Sequence, residues 1–177
     1  HLKEMGVKTS FFESPENCST AFMVNTTAGD QITYFEWGAG EAFARSESPK
    51  REFIHMATGD AAYNIGVAKN AEFASLDPGQ DVKYYTKEQL EELFANIGLL
   101  ICNNFELDIM SETTGMNHKD IIAAVPTAII TEGKAGSTLY RGEIEKIPSV
   151  AVSAVDPTGA GDAYRAGLFT AWKKGFD

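Results

Sequence analysis

Val155-Asp156-Pro157-Thr158-Gly159-Ala160-Gly161-Asp162-Ala163 decides the reading of this 177-residue chain. An apolar run, Val150 to Val155, leads into it and predicts a strand. A run from Ala163 to Lys174 leads out of it and predicts a helix. Two glycines just ahead of a helix leave backbone N–H groups facing an anion, and the helix dipole favours negative charge there. Asp162, set in the same turn, can accept a proton from an attacking hydroxyl. An anion hole beside a carboxylate base is the equipment of phosphoryl transfer to an alcohol.

Upstream, the chain alternates. Glu52 to Thr58 predicts a strand, and Asp60 caps a helix that runs to Asn70. Glu72 to Leu76 predicts the next strand, ending in Asp77-Pro78-Gly79. Thr86 with Gln89 forms a capping-box pattern. Leu90, Leu93, Phe94 and Ile97 then recur at i, i+3, i+4 and i+7, which gives a helix one buried face. Ile97 to Cys102 reads as a strand, Asn104 to Thr113 as a helix, and Asn117 opens another helix toward Val125. Ala128 to Thr131 is a strand, and Ser137 to Val155 holds two or three short strands with turns at Arg141-Gly142 and Pro148.

Strands alternating with ten-residue helices predict βαβ crossovers and an α/β fold with a mostly parallel sheet flanked by helices. Ligands in such sheets sit at the carboxyl ends of the strands. Asp77, Asn103, Thr131 and Asp156 each fall at or just after a strand end, which places them in one site. The N-terminal section is β-rich instead. Val7 to Glu13 predicts a strand, and Ser19 to Asn25 and Gln31 to Trp37 predict a hairpin about the turn Thr27-Ala28-Gly29-Asp30. These strands suit a lid or a sheet edge.

Hydrophobic content of 44% and charged content of 23% describe an ordinary globular chain, here a single α/β domain. The net charge of −10 argues against a nucleic-acid or anionic-membrane surface, so a polyphosphate ligand needs a divalent cation and aimed backbone dipoles. No apolar run approaches the ~20 residues of a membrane helix. Cys18 and Cys102 lie far apart in apolar surroundings, as reduced core thiols of a cytoplasmic protein do.

Asp156-Pro157-Thr158-Gly159-Ala160-Gly161-Asp162-Ala163 resembles the C-terminal signature of the ribokinase-like (PfkB) carbohydrate kinases. Asn103-Asn104-Phe105-Glu106 is similar to the Asn-x-x-Glu motif of that family, and Thr131-Glu132-Gly133-Lys134-Ala135-Gly136 to its Thr-x-Gly-x-x-Gly turn, in the family's order. Gln31 to Ala39 and Asp77 to Asp81 are most similar to its archaeal nucleoside kinases. The resemblance implies a ribokinase-like fold and ATP-dependent, Mg²⁺-assisted phosphorylation of a hydroxymethyl group, with a nucleoside or else a sugar as acceptor. A nucleotide-binding module without catalysis is the third possibility. It implies Asp162 as catalytic base and Gly159, Ala160 and Gly161 as anion hole. Asn103 and Glu106 would organise Mg²⁺, Asn103 through water. Thr131, Gly133, Gly136 and Thr158 would bind the nucleotide, and Asp156, with Thr158, a monovalent cation such as K⁺. A homodimer is an allowed assembly. Both ends look mid-fold beside the family, so the sequence is expected to be part of a longer kinase.

Each residue also has a plainer reading. Asn103 and Glu106, three apart, are the pattern of a helix cap. Tyr34, Phe35 and Trp37 could stack on a base, but an aromatic strand is more often core. Ala163, Ala166, Gly167 and Ala171 make a small-residue side of a helix, suited to packing against a sheet. Gly133-Lys134-Ala135-Gly136-Ser137 is no P-loop, because Ala135 stands where Ser or Thr must reach Mg²⁺ and no glycine stands at 128. Asp77 to Asp81 lacks the arginine of the family's Asp-x-Asn-x-Arg pattern.

Overall fold

The computed structural model describes residues 1–9, 13–25, 31–152 and 158–176. Two sheets organise them. A small antiparallel hairpin pairs β1 (Thr20–Asn25) with β2 (Gln31–Glu36), with Thr20 opposite Glu36. A separate six-stranded sheet has the order β3-β4-β5-β6-β7-β8. Its strands are β3 (Arg51–Met56), β4 (Ala71–Leu76), β5 (Leu99–Asn103), β6 (Ala128–Thr131), β7 (Ser137–Arg141) and β8 (Glu143–Ile147). Pairs β3/β4, β4/β5 and β5/β6 are parallel; β6/β7 and β7/β8 are antiparallel.

The helices begin where polar side chains satisfy their first N–H groups. Asp60 accepts from the Tyr63 N–H at 2.8 Å and starts α1 (Ala61–Asn70). Thr86 and Gln89 close a reciprocal capping box at the start of α2 (Lys87–Asn96). Asn103 starts α3 (Asn104–Thr114), and Asn117 starts α4 (His118–Ala123). Such caps are worth about 1 kcal/mol each. The long final helix is α5 (Ala160–Lys173).

Side-chain alternation along the strands feeds two cores. Leu100 and Cys102 of β5, with Ala128 and Ile130 of β6, face α1 to α4 and pack with Val67, Leu90, Leu93 and Met110. Leu99, Ile101 and Ile129 face the other way, against Tyr164, Leu168 and Phe169 of α5. Burial on both faces is why β5 reads as an unbroken apolar run. An aromatic cluster docks α5. Phe53 and Phe73 stack at 5.5 Å, Phe169 meets Phe53 edge-on at 5.4 Å, and Trp172 meets Phe73 at 5.0 Å. Each such pair adds about 0.5–1.5 kcal/mol beyond burial.

Several expectations need correction. Val7–Thr9 and Glu13 lie outside any strand, and residues 10–12 lie outside the described residues. Leu2 to Val7 closes a turn. The Val7 N–H bonds Leu2 O, the Gly6 N–H bonds Lys3 O, and Gly6 has φ 77°, a Schellman closure. Val150–Val152 forms no strand, and 153–155 are not described; the turn 27–30 of the hairpin is likewise outside. Cys18 is exposed rather than a core thiol, whereas Cys102 is buried. The aromatics of β2 are surface residues, since the hairpin stands apart from the main sheet: Tyr34 is 66% exposed. Ala163, Ala166 and Gly167 are exposed as well. The larger Tyr164, Leu168 and Phe169 take the sheet-facing side of α5 because burying them removes more apolar area from water. Among the described residues no helix is long and apolar enough to cross a membrane.

Candidate active site

The carboxyl ends of β4, β5 and β6 bring the chemistry together. Asp77 follows β4, Asn103 ends β5 and Thr131 ends β6. Asn103 and Thr131 are cross-strand partners in the β5/β6 register, so their side chains start from neighbouring backbone positions. Thr131 Oγ1 donates to the Cys102 carbonyl at 3.4 Å.

Asn103 and Glu106 form a complete capping box. The Glu106 N–H donates to Asn103 Oδ1 at 2.9 Å, and the Asn103 N–H donates to Glu106 Oε2 at 2.8 Å. The plainer reading of this pair is therefore realised, and it spends the Asn103 side-chain oxygen. Glu106 is held in low dielectric with one oxygen in the cap. Burial pushes its carboxyl up to about 7; the Asn103 N–H opposes the rise, Asp77 adds to it, and Arg165 opposes it.

Glu106 consequently has a stability signature. Its folded value lies above the unfolded 4.5, so between those pH values the folded state keeps a proton that the unfolded state has lost. Stability contributed by the neutral carboxyl is fully present below pH 4.5 and lost as pH rises through 7. At about 1.4 kcal/mol per pH unit the loss is on the order of 3 kcal/mol. Glu106→Gln keeps the cap acceptor and removes the charge. Thermal midpoints measured from pH 4.5 to 8.5 without metal should fall for the natural protein and fall much less for the variant.

Gly136 and Ser137 lead into β7, and the turn Gly133–Ala135 lies directly before them. Thr131, Gly133, Gly136, Ser137, Ala160 and Gly161 line one cleft of about 380 Å³. The N-terminus of α5 thus faces the Thr-x-Gly-x-x-Gly turn across a shared space. Gly159 has φ 80° at the cap position, a conformation glycine adopts without strain, and among the described residues no side chain caps this helix end. The first-turn N–H groups of a helix have no partner within it and can face a ligand. Tyr164 fixes the helix against β7 through a 2.9 Å hydroxyl contact with Ser137.

Asp162 sits in the first turn of α5 with its side chain 79% exposed, at the surface end of an ion pair with Arg165. Arg165, one turn on, bonds Asp162 Oδ1 with one nitrogen and Asp77 Oδ2 with another. Asp77 is buried. Its carboxyl is raised by burial, a rise that Arg165 opposes. Nearby, burial and then Arg165 lower His55 to about 4, and burial holds the Cys102 thiol well above its usual range.

The sequence motifs thus meet in two adjoining groups. Thr131, Gly133, Gly136, Ala160 and Gly161 share the cleft, and Asn103 and Glu106 adjoin Thr131 through the β5/β6 register. Asp156 lies outside the described residues; Thr158 lies in the turn just before α5. Sequence reasoning missed Arg165. Its signal was the i, i+3 spacing from Asp162, which puts both on one helix face. A second cavity, about 410 Å³, lies between the 38–45 turn and the start of α1 and takes in Trp37 and Asp81 from the Gln31 to Ala39 and Asp77 to Asp81 stretches. It is lined by Trp37, Glu41, Asp60, Asp81 and Tyr85.

The chain is 34% identical over 186 residues to a nucleoside kinase of Methanocaldococcus jannaschii, covering 100% of this chain and 62% of the relative. It is 33% identical to a nucleoside kinase of Methanothermobacter thermautotrophicus, covering 97% of this chain and 59% of that one. The crystal structure of the M. jannaschii nucleoside kinase, an archaeal member of the ribokinase family, superposes with a TM-score of 0.89, over 99% of this chain and 62% of that one. A Burkholderia thailandensis nucleoside kinase in complex with inosine, 24% identical, shares the fold at a TM-score of 0.87, over 99% of this chain and 62% of that one. The chain spans about three fifths of the length of the curated relatives it matches. The fold is ribokinase-like, and the main sheet, expected to be mostly parallel, is mixed, with β3 to β6 parallel and β7 and β8 antiparallel. The family model for pfkB carbohydrate kinases matches residues 1–177, and the chain belongs to that family.

Proposed function

We propose that the site transfers the terminal phosphoryl group of ATP to a hydroxymethyl group of a nucleoside. The observation that carries this reading is the N-terminus of α5, with Gly159 at its cap position, opening on the cleft of Thr131, Gly133 and Gly136, with Asp162 in its first turn. N–H groups from the Gly159–Gly161 turn receive the migrating charge, which spreads over the phosphoryl oxygens in a loose transition state. Asp162 orients the acceptor hydroxyl and takes its proton late. Thr131, Gly133, Gly136 and Thr158 bind the nucleotide.

Mg²⁺ fits these residues in one form. Among the described residues no group of three or more His, Cys, Asp or Glu side chains can enclose a metal. The half-buried Glu106 carboxyl, one oxygen in the cap and its charge disfavoured by burial, suits a hydrated ion whose remaining ligands are phosphates and water. Glu106, with Asn103 through water, would hold it, and when bound it would neutralise phosphate charge that this acidic chain does not. The monovalent-cation role of Asp156 falls outside the described residues.

The nucleoside preference is supported by the two archaeal relatives. A sugar acceptor is the second reading, favoured by a fructokinase 31% identical over 109 residues, 55% of this chain and 35% of the relative. The test is ATP consumption by the intact protein with adenosine, inosine, guanosine, cytidine, ribose and fructose offered separately. Turnover with a nucleoside is expected. Turnover with sugars alone moves the reading to the second acceptor class, and ATP binding without turnover on any acceptor removes the transfer reading.

A further inference from the structure

A base that takes its proton late works through orientation, and a misplacement of about 1 Å costs on the order of 10²-fold in rate. Asp162 has little to orient it. It is largely exposed and heads a helix whose cap position is a glycine. Among the described residues the partner of its carboxylate is Arg165.

Arg165 is itself anchored. Its side chain is mostly buried, and its Nη1 bonds Asp77 Oδ2 across 88 residues of sequence. Nη1 also lies 3.6 Å from the position a Cβ on Gly161 would take, so the guanidinium flanks the glycine turn. Asp77 is fixed at the sheet: its N–H donates to Met56 O at 2.9 Å, and its Oδ1 accepts from the Gly79 N–H at 3.0 Å. A continuous chain of contacts therefore runs from the ends of β3 and β4 through Asp77 and Arg165 to Asp162. A guanidinium can grip two carboxylates at once through separate nitrogens; an ammonium on a flexible stem cannot hold the same fork.

We propose that Arg165 is a positioning residue for the transfer step, aiming the Asp162 carboxylate from a fixed seat on Asp77. This rests on the reading of Asp162 as the base. A purely structural tether would be the rival role, but the Phe53, Phe73, Phe169 and Trp172 cluster already docks α5.

The test uses the intact protein, ATP and the acceptor that supports turnover, with Arg165→Met, Arg165→Lys, Asp162→Asn and the double variants Asp77→Asn/Arg165→Met and Asp162→Asn/Arg165→Met. The first double variant leaves no buried carboxylate unpaired, so it keeps the question open to measurement if Arg165→Met folds poorly. Arg165→Met and Asp77→Asn/Arg165→Met should lower kcat by about 10–10²-fold while KM for ATP stays within about 3-fold. Arg165→Lys should recover part of the loss. Asp162→Asn/Arg165→Met should be no slower than Asp162→Asn, because a positioning group has nothing left to position. Independently of turnover, the ¹³C carboxyl resonance of Asp162, assigned by its loss in Asp162→Asn, should shift in Asp77→Asn/Arg165→Met. Unchanged kcat in that variant, multiplicative losses in Asp162→Asn/Arg165→Met, or an unmoved resonance overturns the positioning role alone. Full activity of Asp162→Asn overturns the base reading, and the proposal with it.

Discussion

Asp162→Asn is expected to lower kcat by at least ~10²-fold while leaving KM for ATP nearly unchanged, the scale of a lost general base. Asparagine keeps the volume and can still meet Arg165 through its amide oxygen, so the local geometry survives. What it removes is the negative oxygen that accepts a proton. The residue is exposed and first-turn, so its charge carries little of the fold's stability. The thermal midpoint should stay within about 2 °C, which separates a chemical loss from an unfolding one. Steady-state kinetics with varied ATP, read beside a melting curve, decide it. Equal turnover in the variant and the natural protein would remove Asp162 from the chemistry and leave the α5 terminus as a binding element.

Gly136→Ala is expected to destabilise the protein by about 3 kcal/mol, combining backbone strain with overpacking. Gly136 has φ 103°, outside the range that side-chain-bearing residues favour. A Cβ there would lie 2.0 Å from the Ile147 carbonyl and 2.8 Å from the Ser149 nitrogen. Those atoms are backbone, so no rotamer change relieves the contact; the segment after β8 must move. That segment lines the cleft, and KM for ATP should rise along with the fall in melting temperature of about 6–12 °C. Gly133→Ala is the control. Its φ of 57° carries strain, but nothing lies within 4 Å of the new Cβ, so its cost should be about 1 kcal/mol. Matching melting curves for the two variants would mean that strain, not contact, governs this turn.

The parts of the fold that were legible in the sequence were those decided within a few residues. Asp60, Thr86 with Gln89, Asn103 with Glu106, and Asn117 announced four helix starts, because each side chain satisfies N–H groups two or three positions away. Pairing was less legible. Nothing local says that β7 and β8 return antiparallel beside β6, since that depends on loop length and on which edge is open. Val150 to Val152 looked by composition like the start of a strand and form none, since a β-branched stretch becomes a strand only where a neighbour supplies its ladder. The small-residue side of α5 was assigned inward, and Phe169 and Trp172 won that face by size.

The candidate site divides along the same line. The Gly159–Gly161 turn stood out because two glycines precede a helix, Thr131 because it ends a strand, and Gly133 and Gly136 through the resemblance to the family's motif; Thr131, Gly133, Gly136 and Gly161 line one cleft. The Asp77–Arg165 pair was invisible because its members are 88 positions apart. The capping box at Asn103 carries a further lesson. A cap and a metal-organising pair can be the same two residues, and the sequence could not rank one above the other.

The two thiols have opposite settings. Cys18 stands in the open just ahead of the hairpin, and Cys102 lies beneath Glu106 and Asp77 with its thiolate form suppressed. A maleimide dye should therefore attach at a single address in the native chain, with no mutation needed to silence a competitor. That gives the hairpin a built-in handle for a fluorophore or spin label, whose emission or line shape reports on the surroundings of the hairpin with and without nucleotide.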